Sequence, residues 1–111
     1  MSTETVDLSN LRMATDGDAE LEQELFEEFI SSTTDLIHDL ENHCQGSSDN
    51  EKWRTSSHAL KGIALNLGAN PLGALGKNAQ DISEHSIDEK TRLLSNIKSE
   101  HQKVLEFLKT Q

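Results

Sequence analysis

Residues 57–62 read Ser-His-Ala-Leu-Lys-Gly and place a histidine, a cation and a glycine close together on a predicted helix. At about 100° per residue, His58 lies about 160° from the apolar stripe that contains Trp53 and Leu60, so its imidazole is predicted to face solvent. Imidazole has an unperturbed pKa of about 6.5 and is largely neutral near neutral pH. Because a neutral imidazole nitrogen can form a covalent bond to a transferred group, His58 is a candidate nucleophile.

Four residues share the predicted outer face with His58, namely Arg54, Lys61, Gly62 and Leu65. Side chains three or four residues apart are neighbours on a helix, so Arg54 and Lys61 flank the imidazole and could hold an anion placed on it. Gly62 costs about 1 kcal/mol relative to alanine in a helix interior, but it lets another protein's backbone approach His58. Leu65 could supply an apolar contact. The pattern predicts a docking surface centred on a nucleophilic histidine.

Length and composition predict one all-α domain. The chain has 111 residues, one Pro and six Gly, and it shows little of the alternation that is typical of strands. We expect a short N-terminal segment, residues 1–17, followed by four longer helices within residues 18–111. Asp7 could cap a brief turn in that segment, which Gly17 would end.

Capping signals divide residues 18–111 into helices. The signals are Asp18, Ser48 with Glu51, Asn70 with Pro71, and Ser86 with Glu89. The first long helix is predicted to run to about Cys44 and the second to end near Gly68. The apolar face of the first is predicted to consist of Leu21, Leu25, Phe29, Thr33, Leu36 and Leu40.

Short linkers favour antiparallel neighbours, so the predicted fold is an all-α, antiparallel up-down four-helix bundle with a short N-terminal helical segment. Gly73 and Gly76 should let the third long helix pack closely against a neighbour. Four amphipathic helices can share one core in this arrangement.

Charge and the single cysteine restrict the classes of function. A net charge of −10 disfavours nucleic acid and anionic membrane surfaces as partners, because both need a concentrated positive footprint. No apolar run approaches the roughly 20 residues that span a membrane, and the N-terminus is too polar for a secretory signal. Cys44 cannot form an internal disulfide, which favours the reducing cytoplasm.

The other histidines are predicted to have structural or surface roles. We expect His38 and His85 to be solvent-exposed, and His43 and His101 to be partly buried, hydrogen-bonded packing residues. No metal site is predicted, because His38 and His43 are five residues apart rather than four and Cys44 has no Cys-x-x-Cys partner. No Gly-rich phosphate loop is present.

The run from His58 to Gly62, followed by Asn-Leu-Gly-Ala at 66–69, resembles the histidine phosphotransfer (HPt) family of phosphorelay proteins. The likeness extends from about Leu21 to about Glu84. It implies an antiparallel four-helix bundle whose exposed histidine carries a phosphoryl group between receiver-domain aspartates. By matching position, His58 would be the phosphoacceptor, Lys61 its electrostatic support and Gly62 the residue that gives a partner clearance.

The resemblance implies a phosphocarrier that has no nucleotide-binding or kinase domain of its own, and therefore not an enzyme. We expect a stand-alone cytoplasmic monomer that binds no cofactor and docks response-regulator receiver domains and a hybrid sensor kinase, with Mg²⁺ held by the partner receiver. The alternative is a non-catalytic helical adaptor that binds a receiver or a partner helix through the same face. A metal-binding bundle is less favoured, because the residues four before and four after His58 are Arg54 and Gly62.

Overall fold

The computed structural model describes residues 5–44 and 49–111, and these residues form five helices and no strand. The helices are α1 (Ser9–Thr15), α2 (Ala19–Asn42), α3 (Asn50–Leu67), α4 (Asn70–Asp81) and α5 (Ile87–Lys109). The predicted all-α class is confirmed. Within the described ranges, no helix is both long enough and apolar enough to cross a membrane.

Two of the predicted helix caps are present as hydrogen bonds. The Asp18 carboxylate accepts the backbone N–H of Leu21 at 3.1 Å, and Ser86 Oγ accepts the backbone N–H of Glu89 at 3.2 Å. Each acceptor satisfies one of the N–H groups that have no partner within the helix. The caps therefore define where α2 and α5 begin.

The predicted cap at Asn70 is wrong. Asn70 is already the first residue of α4, and Ala69 occupies the cap position without a side-chain acceptor. The cause is a tight connection, in which Gly68 has a φ of +101° and the Ala69 carbonyl accepts the Gly73 N–H at 2.9 Å. Pro71 lies in the first turn as predicted. Ser48 lies outside the described residues, and α3 begins after Asp49.

The four long helices contact one another in a closed ring, α2 with α3, α3 with α4, α4 with α5, and α5 with α2. Between α3 and α4, Trp53 Nε1 donates to the Ala79 carbonyl at 2.7 Å, and Leu65 lies against Gly73. Residue numbers therefore rise along α3 while they fall along α4. The same opposition holds between α2 and α5, where Thr33 contacts His101 and Glu41 pairs with Lys98.

The described part of the N-terminal segment, from residue 5 onward, packs onto the same core as the long helices. Val6, Leu8 and Leu11 are buried within one hydrophobic cluster that also contains apolar residues of α2–α5. The Asp7 N–H donates to the Gly68 carbonyl at 2.9 Å, and a Cβ at Gly68 would lie only 1.8 Å from the Asp7 oxygen. Gly68 is thus required both by its positive φ and by this close approach.

The apolar face of α2 differs from the predicted one. Phe29, Thr33 and Leu40 are buried and Leu25 and Leu36 are partly buried, whereas Leu21 is 39% exposed. Leu21 lies in the first turn of α2 and is not part of the buried cluster. Phe26 and Ile37 are buried as well, since α2 packs against both α3 and α5 and its buried stripe is wide.

A buried lysine fixes the start of α3. Lys90 of α5 is 1% exposed, donates from Nζ to Asn50 Oδ1 at 2.6 Å, and lies 5.3 Å from the centroid of the Trp53 ring. The ring face attracts the ammonium, while burial lowers the pKa of Lys90. These contacts tie α5 to the first turn of the helix that carries His58.

His101 is buried and hydrogen-bonded, in agreement with its predicted packing role, and it lies in the interface between α2 and α5. Its Nε2 lies 2.8 Å from Thr33 Oγ1, and the Thr33 hydroxyl donates its hydrogen to the Phe29 carbonyl at 2.7 Å. Thr33 must therefore accept a hydrogen from His101 Nε2. Burial lowers the pKa of His101. His38 and His85 are exposed, and His43 is partly buried, in agreement with their predicted surroundings.

We predict that His101 makes folding pH-dependent. Folding lowers the pKa of His101 below its unperturbed value of about 6.5. The neutral imidazole therefore contributes its full stability above pH about 6.5, and this contribution is lost as the pH falls through the pKa of the folded state. His101→Gln should flatten the decline in unfolding free energy by at most about 1.4 kcal/mol per pH unit. Urea unfolding at a series of pH values from above 6.5 to below the folded-state pKa tests this prediction, with His38→Gln at an exposed position as the control. Equal slopes for wild type and His101→Gln would contradict the prediction.

Candidate functional site

His58 lies on the exposed face of α3, as predicted, and it meets a residue of α4. Its Nδ1 is 3.4 Å from Oε1 of Gln80. An amide oxygen only accepts hydrogen bonds, so this contact is a hydrogen bond in the tautomer whose Nδ1 carries the hydrogen. The other ring nitrogen, Nε2, then holds the lone pair. The contact favours the tautomer in which Nε2 holds the lone pair.

Gln80 was not among the residues predicted from the sequence. Its signal is its spacing on α4, because Gln80 follows Gly76 by four residues and Gly73 by seven, so the three share one helix face. The glycines predicted close packing, and the next residue on their face should reach the same neighbour. That neighbour could not be identified as α3 before the contact between the helices was known.

Gly73 and Gly76 bring α4 against α3, which confirms the predicted close packing. A Cβ built at Gly73 would lie 2.6 Å from Cδ2 of Leu65. One built at Gly76 would lie 2.9 Å from the backbone nitrogen of Lys61. Both distances are shorter than real Cβ contacts, so a neighbour would have to shift. At Gly73 that neighbour is a leucine side chain, whereas at Gly76 it is backbone, so the helices are as close at Gly76 as glycine allows.

The two predicted cations beside His58 have different surroundings. Arg54 donates from Nε to Ser83 Oγ at 3.1 Å, and its Nη2 is 3.8 Å from Glu84 Oε1, so the guanidinium lies on the connection between α4 and α5. Lys61 is partly exposed and forms no ion pair within the part of the chain that the structure describes. Contact of either cation with an anion on His58 stays a prediction.

Gly62 and Leu65 leave the outer face of α3 accessible. A Cβ at Gly62 would meet no atom of residues 5–44 or 49–111 within 4 Å, so packing against these residues does not require a glycine there. Leu65 is 47% exposed even though one side of it faces Gly73. The surface beside His58 thus combines an open backbone position with a half-exposed apolar side chain.

The helix that carries His58, α3, has a net charge opposite in sign to that of the neighbouring helix α2. The sequence of α2 contains eight Asp or Glu residues and no Lys or Arg. The sequence of α3 contains three cations and one carboxylate. An anion at His58 is therefore better accommodated than an anion on α2. Among residues 5–44 and 49–111, no group of three His, Cys, Asp or Glu side chains is placed to hold a metal ion.

The family model of the Hpt domain matches residues 24–107, which is about three quarters of the chain. Searches of the curated proteins and of the solved structures find no match. The matched range contains α3 and α4 entirely and thus both His58 and Gln80. The chain belongs to the Hpt domain family, whose members are phosphocarrier modules that work with receiver domains in phosphorelays.

We predict that Gly62 can be replaced without loss of the fold. Gly62→Ala should raise the free energy of unfolding by up to about 1 kcal/mol, because alanine favours a helix and its Cβ meets nothing. Gly62→Gln should also fold but should slow labelling by a phosphorylated receiver. Urea unfolding and single-turnover labelling measure the two effects.

Gly17→Ala is the matched control for stability. A Cβ at Gly17 also meets nothing within 4 Å, but the φ of +78° strains any side chain, so this variant should lose stability. Normal labelling of a folded Gly62→Gln protein would show that no partner backbone passes close to Gly62.

Proposed function

We propose that His58 is the phosphoacceptor of this chain and that it relays a phosphoryl group between receiver-domain aspartates in a two-component phosphorelay. The observation that carries the proposal is the exposed imidazole whose Nδ1 faces Gln80 Oε1 at 3.4 Å. This contact leaves Nε2 with its lone pair directed away from the acceptor. Membership in the Hpt family supports the same chemistry.

The transfer step is a substitution at phosphorus. The Nε2 lone pair attacks the phosphorus of an aspartyl phosphate, the bond between phosphorus and the aspartate oxygen breaks, and aspartate leaves as a carboxylate. The imidazole becomes a phosphohistidine that keeps its hydrogen on Nδ1. In the reverse direction a receiver aspartate attacks the same phosphorus. Such reactions depend mainly on alignment and charge stabilisation, which requires no strong base from this chain.

Lys61 is proposed to offset the charge of the phosphoryl oxygens. It lies one helical turn after His58, and no carboxylate of the described residues pairs with it. The receiver would supply the aspartate and its Mg²⁺, so the chain acts as a phosphocarrier and co-substrate without a cofactor of its own. Arg54 would act at the edge of the docking surface, where Ser83 orients it.

The proposed fold is an antiparallel up-down four-helix bundle. The opposed residue numbering along α3 with α4 and along α2 with α5 supports this arrangement. Short connections such as Gly68–Ala69 between α3 and α4 also favour it. The bundle would present the outer face of α3 to partners.

The proposed partners are receiver domains of response regulators and of a hybrid sensor kinase. They would dock on the face defined by His58, Gly62 and Leu65, where the open backbone and the half-exposed leucine lie together. We propose that the chain works as a monomer in the cytoplasm, where a free, buried Cys44 is easily maintained.

We predict that His58→Gln abolishes labelling. The variant should keep its helical circular-dichroism signal, because the side chain is exposed, and should accept no phosphate from a phosphorylated receiver, because the nucleophilic nitrogen is gone. His38→Gln, on exposed α2 surface, is the control and should label normally. Labelling of His58→Gln at the wild-type rate would exclude His58. Normal labelling of wild type also separates a phosphocarrier from an adaptor that only binds.

We predict that Lys61→Ala slows single-turnover labelling by roughly two- to fivefold at low salt, as expected for a partly screened charge interaction. The difference should shrink at high salt, because ions screen the lysine. Lys77→Ala is the matched control, since this exposed cation of α4 pairs with Asp81 at 3.0 Å. A rate for Lys61→Ala that equals wild type at both salt concentrations would remove Lys61 from the site.

A further inference from the structure

The contact between His58 and Gln80 has little tolerance for movement of α4. Its donor and acceptor are 3.4 Å apart, whereas N–H···O hydrogen bonds are commonly about 2.9–3.0 Å. An outward shift of α4 by a few tenths of an ångström would break the contact. Whatever sets the separation of α3 and α4 therefore also sets the state of the His58 ring.

Two contacts hold α4 against α3, one on either side of His58 along α3. Before it in α3, Trp53 Nε1 donates to the Ala79 carbonyl at 2.7 Å. After it, Gly76 lies against the backbone of Lys61, where an added Cβ would be 2.9 Å from N and 3.0 Å from Cα. Gly76 and Gln80 are one turn apart on α4, as His58 and Lys61 are on α3.

We propose that Gly76 is a positioning residue for His58. By letting the backbone of α4 rest on that of Lys61, it holds Gln80 where the amide oxygen accepts the Nδ1 hydrogen, and it thereby keeps Nε2 free to react. The inference rests on the proposed function of His58 as phosphoacceptor. Gly76 touches no reacting atom and acts only through the position of Gln80.

Gly73 provides a matched control on the same face of the same helix. A Cβ at Gly73 would meet Cδ2 and Cγ of Leu65, which are side-chain atoms of a 47% exposed residue and can move. A Cβ at Gly76 would meet backbone atoms, which can yield only if the helices separate. Alanine at position 76 should therefore displace Gln80, whereas alanine at position 73 should not.

The tautomer of His58 measures this displacement directly. In protein labelled with ¹⁵N-histidine, long-range ¹H–¹⁵N spectra at a pH well above the unperturbed imidazole pKa give the ratio of the Nδ1–H to the Nε2–H form. Gly76→Ala should lower this ratio about threefold, as expected for loss of one partly exposed hydrogen bond. Gly73→Ala should leave the ratio unchanged. A wild-type ratio in Gly76→Ala, or an equal fall in Gly73→Ala, would overturn the proposal.

A double-mutant cycle tests whether Gly76 acts through Gln80. Gln80→Met keeps the side-chain length but removes the acceptor, so it should lower the ratio as Gly76→Ala does. Adding Gly76→Ala to Gln80→Met should have no further effect. A further fall in the double variant would show that Gly76 influences His58 by another route and would overturn the proposal. If Gly76→Ala alone does not fold, all variants are compared in the Gly62→Ala background.

Single-turnover labelling by a phosphorylated receiver connects the tautomer to function. The rate in Gly76→Ala should fall in proportion to the Nδ1–H fraction, because only that form has the lone pair on Nε2. An unchanged rate with a lowered ratio would contradict a positioning role in transfer. Measurement of the tautomer ratio of His58 requires no phosphotransfer. Failure of wild type to label would thus contradict the proposed function, whereas an unmoved ratio in Gly76→Ala would contradict only the present inference.

Discussion

The close approach of α4 to α3 is the constraint on which the site depends. Gly76 packs on the backbone of Lys61 at a distance that leaves no room for a Cβ, and Gly73 packs on the movable side chain of Leu65. Because an α-helix is stiff over a few turns, this contact determines where Gln80 stands relative to His58. A packing interaction between two helices thereby controls the hydrogen on an exposed imidazole.

The remaining elements hold α3 so that this contact can form. Lys90 of α5 binds Asn50 at the first turn of α3, and Asp7 binds Gly68 at the other end. The core shared by the N-terminal segment and α2–α5 buries the inner face of α3, which leaves its outer face to solvent. The proposed transfer requires no burial of the histidine, because phosphoryl transfer relies mainly on alignment and charge stabilisation.

Helical periodicity and capping residues predicted much of the fold. The features that they did not predict depend on contacts between residues distant in sequence. The exposure of His58, the burial of His101 and the caps at Asp18 and Ser86 depend on local spacing, and all were predicted correctly. Leu21 has the apolar spacing of α2 but lies in its first turn, outside the buried cluster, and Asn70 was assigned wrongly because the turn after Gly68 lies outside any local pattern. The contacts of Gln80 with His58 and of Arg54 with Ser83 required knowledge of which helices meet.

Identification of the nitrogen that carries the phosphoryl group is the most direct test of the proposal that His58 reacts through Nε2. A chain labelled with ¹⁵N-histidine would be phosphorylated by a phosphorylated receiver, and ¹⁵N–³¹P couplings would identify the bonded nitrogen. We predict phosphorus on Nε2 of His58, with the hydrogen retained on Nδ1 beside Gln80. Phosphorus on Nδ1 of His58, or on any other histidine, would contradict it.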